Sequence, residues 1–244
     1  MIMRQVTFLV IFFCAANVVV AQEELDISFN GTGKATVDFV AGSDVANAVI
    51  VQPDNKIVAV GTANVNGIPR TFALARFNTD GTLDATFGTG GRVVTDFDSS
   101  APNQGAYAAA LQPDGKIIAG GYVSYASPNE GAFAVARYNT DGSLDTTFGT
   151  GGKVLTNINR RQTEIHGLAI APDGKIVAAG FFFTGSMFQT LIVKYNSDGT
   201  VAWQKQDIHG GVAGTFNAAH SLAVQPDGTS VTDNCSRSGA IPRF

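Results

Sequence analysis

The sequence predicts an all-β fold: a β-propeller of four-stranded antiparallel blades, about four repeats, with the last blade degenerate or truncated. Three observations predict it. Short motifs recur along the chain, and their four related Asp residues, Asp54, Asp114, Asp173 and Asp227, lie 60, 59 and 54 residues apart. Apolar residues between the motifs follow strand spacing, and no stretch has helical spacing with caps. Asp-Gly and Asp-Asn turns separate the apolar runs, and such turns supply the positive φ that short hairpins need.

Each repeat reads as four strands. In the third copy "HGLAIA" is the first strand, "PDGK" the turn and "KIVAAG" the second strand. The alternating "FAVARYN" of the second copy and its equivalents "FALARFN" and "LIVKYN" form the third strand, half buried. A "TDG" or "SDG" turn follows, and the segment around "FGTGGKVLT" is the fourth strand. This last element accounts for the near-identity of "LDATFGTGGRV" (83–93) and "LDTTFGTGGKV" (144–154). A β-solenoid is the runner-up, but its parallel strands cannot be joined by two-residue turns.

Two domains are expected. Residues 1–21 read as a signal peptide and 22–244 as the repeat domain, with repeats at about 25–82, 83–143, 144–200 and 201–244. Arg4 is the sole charge before Glu23, and an apolar run from Val6 to Val20 ends in small Ala21, which places cleavage near Ala21–Gln22. The run is shorter than the ~20 residues that span a bilayer and is interrupted by Asn17, so no membrane span is expected after cleavage. Cleavage removes Cys14 and leaves Cys235 alone, so the mature chain has no internal disulfide. Packing and β-pairing must hold it. A secreted, periplasmic or cell-surface location follows.

The N-terminal "LDISFNGTGKATVDF" (25–39) reads as a fourth strand without the three before it. The end of the chain, Asp227–Arg243, aligns without gaps on Asp54–Arg70, within a third-strand element. The N-terminal strand is therefore expected to complete the last blade and close the ring, removing exposed edges. "TSVTDN" puts polar residues where other blades have Ile, Val and Ala, which makes this blade irregular.

The 244 residues are 45% hydrophobic and 15% charged, enough for a sizeable core. A net charge of −4 argues against a nucleic-acid partner, which needs a basic face. "ALQPDGKIIAGGY" and "FAVARYNTDGSLDTTFGTGGKV", at this spacing, resemble the delta-60 repeat family of exported bacterial β-propeller proteins over residues 25–228. "GLAIAPDGKIVAAG" is similar, more distantly, to NHL-type propellers. The resemblance implies the fold and export, and no catalytic residue.

Motifs with chemical potential reduce mostly to turns. "GTGG" at 88–91 and 149–152 lacks the Lys-Ser/Thr and strand–loop–helix context of a phosphate loop. Ser186 in "FTGSMFQ" lacks nucleophile-elbow spacing. The Asp-Gly pairs lack the further acidic ligands of a calcium loop. Arg76, Arg137 and Lys194 hold one equivalent place and are expected on the blade surface, paired with nearby Asp.

One constellation stands apart. Seven residues before each repeated Asp come Asn47, Tyr107, His166 and His220. If the strand they open is innermost, as the NHL similarity implies, all four line one rim of a central channel. His166 and His220, with Glu164 two residues before His166, are metal-ligand candidates; the alternative is a set of polar residues in a wet channel. No cofactor is assigned beyond this divalent metal. Two functions stand on these grounds. One is a non-enzymatic exported binding or scaffold module for an extracellular or cell-surface ligand. The other is a metal-dependent hydrolase or lyase at the channel mouth. No catalytic residue is assigned.

Overall fold

The computed structural model describes residues 25–39, 43–65, 68–125, 131–207 and 218–234. The signal peptide expected at 1–21 and the final third-strand element lie outside them. The described elements are strands and turns. The first blade is β1 (Val45–Val51), β2 (Ile57–Val65), β3 (Ile68–Phe77) and β4 (Arg92–Thr95), paired in sequence order. β5 (Asn103–Leu111), β6 (Ile117–Ser124) and β7 (Gly131–Tyr138) form most of the second.

The long β8 (Lys153–Ile170) serves two blades. Its first half pairs with β7, and its second half pairs with β9 (Ile176–Phe183) as the inner strand of the third blade. β10 (Phe188–Tyr195) and β11 (Val201–Asp207) complete that blade, and β12 (Ala219–Val224) with β13 (Ser230–Asn234) opens a fourth. All these strand pairs are antiparallel.

Strand alternation makes the blades stack. On the first blade Val58, Val60, Phe72 and Leu74 face the second, where Ile117, Ala119, Ala134, Ala136 and Tyr138 receive them. The second blade's other face carries Ile118, Phe133 and Val135 into Ile176, Ala178, Leu191, Val193 and Tyr195 of the third. Val177, Ala179 and Ile192 then meet Ala219, Leu222 and Val224 of the fourth. The core is thus a series of like apolar interfaces between successive blades. At ~25 cal/mol per Å² of apolar area, such faces are the main source of stability.

The outer turns lock neighbouring blades. Arg76 Nε binds Asp84 Oδ2 at 2.7 Å, its Nη1 donates to Thr140 O on the next blade's turn at 2.5 Å, and its guanidinium lies 4.5 Å from the Phe87 ring centroid. Arg137 repeats the set with Asp145 (2.8 Å), Ser197 O (2.6 Å) and Phe148 (4.7 Å). Gly88 N donates to Asp141 O, and Gly149 N to Asp198 O, both at 2.7 Å. Across the same interfaces Tyr138 OH donates to Thr95 Oγ1, and the Tyr195 and Thr156 hydroxyls share a bond, both at 2.8 Å.

Two expectations are corrected here. Arg76 and Arg137 do not sit on the blade surface: both are buried, because the ion pair must lie beneath the turn it holds. Residues 25–39 do not form a strand. They keep the turn of a fourth-strand element, with Asn30 at φ 52° where Gly88 and Gly149 have 55° and 56°. Asn30 N reaches Asp80 O at 2.6 Å, as Gly88 reaches Asp141. The part that would be a strand has no third strand beside it among the described residues.

Asp84 and Asp145 are buried, which alone would raise their carboxyl pKa values. Hydrogen bonds from Lys56 and Thr86 to Asp84, and from Thr147 and Lys116 to Asp145, with the arginine charges, override this and hold both well below the usual carboxylate range. Carboxylates depressed in the folded state give stability that is complete above the unfolded value near 3.9 and fades as pH falls below it. Urea denaturation should therefore show a steep loss of stability below pH ~4. Asp145→Asn should cost about 3–5 kcal/mol at pH 7 and make the acid loss shallower; equal pH slopes in the two proteins would contradict the assignment.

Candidate functional site

Each inner strand carries one extra residue against its partner. The register shifts fall between Ala46 and Ala48, Ala106 and Ala108, Ile165 and Gly167, and Ala219 and Ser221. The inserted residues are Asn47, Tyr107, His166 and His220, the four singled out by spacing. A β-bulge bends its strand and re-aims a side chain. A glycine faces each of the first three bulges. A Cβ on Gly61, Gly121 or Gly180 would lie 1.9, 1.8 or 1.9 Å from the carbonyl oxygen of Val45, Gly105 or Glu164. No side chain fits there, so the glycine admits the bulge.

The bulge residues meet across blades. Asn47 Nδ2 donates to Ala106 O at 2.8 Å. The Tyr107 ring stacks on His166 with centroids 4.9 Å apart and planes 16° apart. His166 stacks in turn on Phe181 (5.1 Å, 18°), and Tyr122 stacks on the far face of the series at Tyr107 (5.3 Å, 21°). The four rings Tyr122, Tyr107, His166 and Phe181 thus form one near-parallel series across two blades. His220 meets His166 edge-on at 5.3 Å, and Phe188 meets Phe181 edge-on at 5.2 Å.

Three segments, 52–87, 112–148 and 171–201, match a family model described as "Domain of unknown function (DUF5122) beta-propeller". Each match opens at or within a "PD" turn motif and ends in or just before the fourth-strand element, which is the repeat read from sequence. The chain is a β-propeller. Among solved structures, it is similar to the extracellular domain of a putative one-component system from B. thetaiotaomicron, at 14% identity and TM-score 0.44. That likeness covers 81% of this chain and spans 21% of the other. It is also similar to a glucose dehydrogenase, at 11% identity and TM-score 0.37, over 79% of this chain and 80% of that one. No curated protein matches.

Charge is arranged around the propeller's ring series. Glu164 Oε2 lies 3.2 Å from His166 Nε2. Burial pushes the Tyr107 phenol above its ordinary range, and the Glu164 charge pushes it further, so it remains a neutral hydroxyl. Arg70, exposed and at a left-handed φ of 68°, has its pKa raised by the nearby Tyr122 phenol. Of the metal-ligand candidates, His166 and Glu164 face each other and His220 touches the His166 ring. Among the described residues, no three His, Cys, Asp or Glu side chains form a group that would hold a metal ion. The rim presents ring edges, two phenol hydroxyls, imidazoles, a guanidinium and a carboxylate.

Tyr122, Phe181, Phe188 and Arg70 escaped the sequence reading. A signal existed for two of them: Tyr122 and Phe181 directly follow Gly121 and Gly180, the bulge glycines. The other motifs are structural. Ser186 is an exposed loop residue near Thr184. Asp80, Asp141, Asp198 and Asp227 accept the backbone N–H two residues on, at 2.9 Å each. Lys194 pairs with Asp173 at 3.1 Å.

Burial raises the phenols of Tyr138 and Tyr195 as well as Tyr107. Spectrophotometric titration should therefore leave at least three of the five tyrosines un-ionised well past the ordinary value of about 10. Ionisation of all five near that value in folded protein would contradict the packing of these rings.

Proposed function

We propose that this propeller is an exported, non-enzymatic binding or scaffold module that holds its ligand on the rim of bulge residues. The continuous series Tyr122, Tyr107, His166 and Phe181, edged by Arg70, Glu164 and His220, carries this reading. Backbone geometry repeated in three blades, with a glycine at each bulge, sets these side chains in one place. Buried, fully paired groups such as Arg137 serve stability; of the ring series Tyr122 is buried, while the half-buried Tyr107, His166 and Phe181 offer a ligand hydrogen bonds and apolar contact together. Export rests on the signal-like residues 1–21, and the acidic balance of the chain fits an extracellular or cell-surface ligand rather than nucleic acid.

The test is to probe glycan and short-peptide arrays with purified protein, then with Tyr107→Ala and His166→Ala. Losing a hot-spot ring typically costs at least 2 kcal/mol, about 30-fold in affinity. The reading expects a saturable binder whose affinity falls by about this factor in both variants. A binder indifferent to both would move the site elsewhere.

A further inference from the structure

The two ends of the ring series differ in chemistry. By the shared registers of the blades, Arg70, Gly131 and Phe188 hold one place, three residues before Ala73, Ala134 and Leu191, the partners of the bulge glycines Gly61, Gly121 and Gly180. In the third blade this place looks onto the rim: the Phe188 ring meets Phe181 edge-on with centroids 5.2 Å apart. In the second blade it carries no side chain, and in the first it is Arg70. The series is therefore flanked by a cation near Tyr122 and by an aromatic ring at Phe181.

Arg70 is held there against its backbone preference. Its φ of 68° lies in the left-handed region, which Gly and Asn enter readily and other residues do not. Its main-chain N–H donates to Asn64 Oδ1 at 2.9 Å, which fixes this conformation. Arg76 and Arg137 are buried in ion pairs, and Arg92 donates to the Asp38 and Gly90 carbonyls. Among the described residues no carboxylate or carbonyl takes the exposed Arg70 guanidinium. Its neighbours are phenols: Tyr122 and Tyr107 both act on its charge, and that charge acts on Tyr107. A strained residue without a structural partner for its head group fits a residue kept for ligand contact.

The surface around it suits a negative group. Neighbours in the stack cover the faces of Tyr107 and His166, so a ligand meets ring edges. Edges carry the positive part of the aromatic quadrupole. Tyr107 stays a neutral hydroxyl and can donate to an anion. The rim's carboxylate, Glu164, lies 3.2 Å from His166, two rings along from Tyr122.

We propose that the rim takes a carboxylate-bearing ligand, its carboxylate on the Arg70 guanidinium and the Tyr107 hydroxyl and its bulk along the ring edges toward Phe181. This rests on the rim as the binding surface and adds the class of ligand. A guanidinium presents paired N–H donors that match the two oxygens of a carboxylate. Two sources offer that group: a uronic-acid sugar and the free C-terminus of a peptide.

The probes are two acid–neutral pairs, methyl glucuronide with methyl glucoside and N-acetyl-alanylphenylalanine with its amide, titrated into the isotope-labelled full chain and followed by NMR. The expected result is saturable shifts at Arg70 and Tyr107 with the acid of one pair, and about tenfold or more weaker binding of its neutral partner. The pair that shows this names the source. Arg70→Gly should lose at least tenfold of the acid's affinity yet melt no lower than the native protein, because glycine relieves the positive φ. Acids bound no better than their neutral partners overturn the proposal. So does an Arg70→Gly protein that binds the acid as tightly, or one that melts well below the native protein, which would assign the arginine to the fold. Binding lost in His166→Ala but equal for acid and neutral probes overturns the carboxylate and leaves the rim. Acid-selective binding lost in Arg70→Gly but untouched by His166→Ala keeps the carboxylate seat and overturns the rim reading.

Discussion

The architecture depends on one close approach of backbone to backbone. Gly61, Gly121 and Gly180 each lie so near a carbonyl of the inner strand that a methyl group would overlap it. That contact admits the bulge, and the bulge brings Asn47, Tyr107 and His166 out of the regular alternation. An unbulged strand would put these residues in register with the sheet, and adjacent blades would not bring their rings together. The rim therefore follows from glycine at three places rather than from the ring residues alone. The fourth blade reaches the same bulge at His220 with Asn234 opposite Ala219, so glycine is the means used three times of four.

Blade-to-blade locking lies at the other end of the sheets. Arg76 and Arg137 each tie three things together: an Asp on their own fourth-strand turn, an aromatic ring beneath, and a carbonyl of the following blade. Burying a guanidinium is costly unless its donors are used, and here Nε, Nη1 and Nη2 all find acceptors. The third blade has Lys194, and "VAW" replaces the "LD" element, so its outer lock is absent in kind. Order along the chain is visible in this loss: the first two interfaces carry the full lock, the third relies on Val177, Ala179 and Ile192.

Much of this was legible in the sequence, for a physical reason. Tight turns and strand alternation are local, and repetition displays them several times, so the repeat period, the strand order and the four equivalent positions Asn47, Tyr107, His166 and His220 could be read from spacing. What could not be read depends on contacts between blades. The burial of Arg76 and Arg137 follows from the Thr140 and Ser197 carbonyls, 64 and 60 residues away. The expected strand at 25–39 kept its turn, which is local, and lost its ladder, which needs a partner. The series Tyr122, Tyr107, His166 and Phe181 requires knowing that a bulge turns one residue per blade toward the next. The glycine after "KIxA" was visible, but its role lies in a carbonyl on a different strand.

The claim that glycine sets the rim is tested most directly by nuclear Overhauser contacts in solution. In the native protein the His166 ring should show cross-peaks to both Tyr107 and Phe181. In Gly180→Ala those cross-peaks should vanish, while those of the Arg137 guanidinium with the Phe148 ring persist at the far end of the blades. A folded Gly180→Ala protein that keeps the His166 ring contacts unchanged would contradict the account.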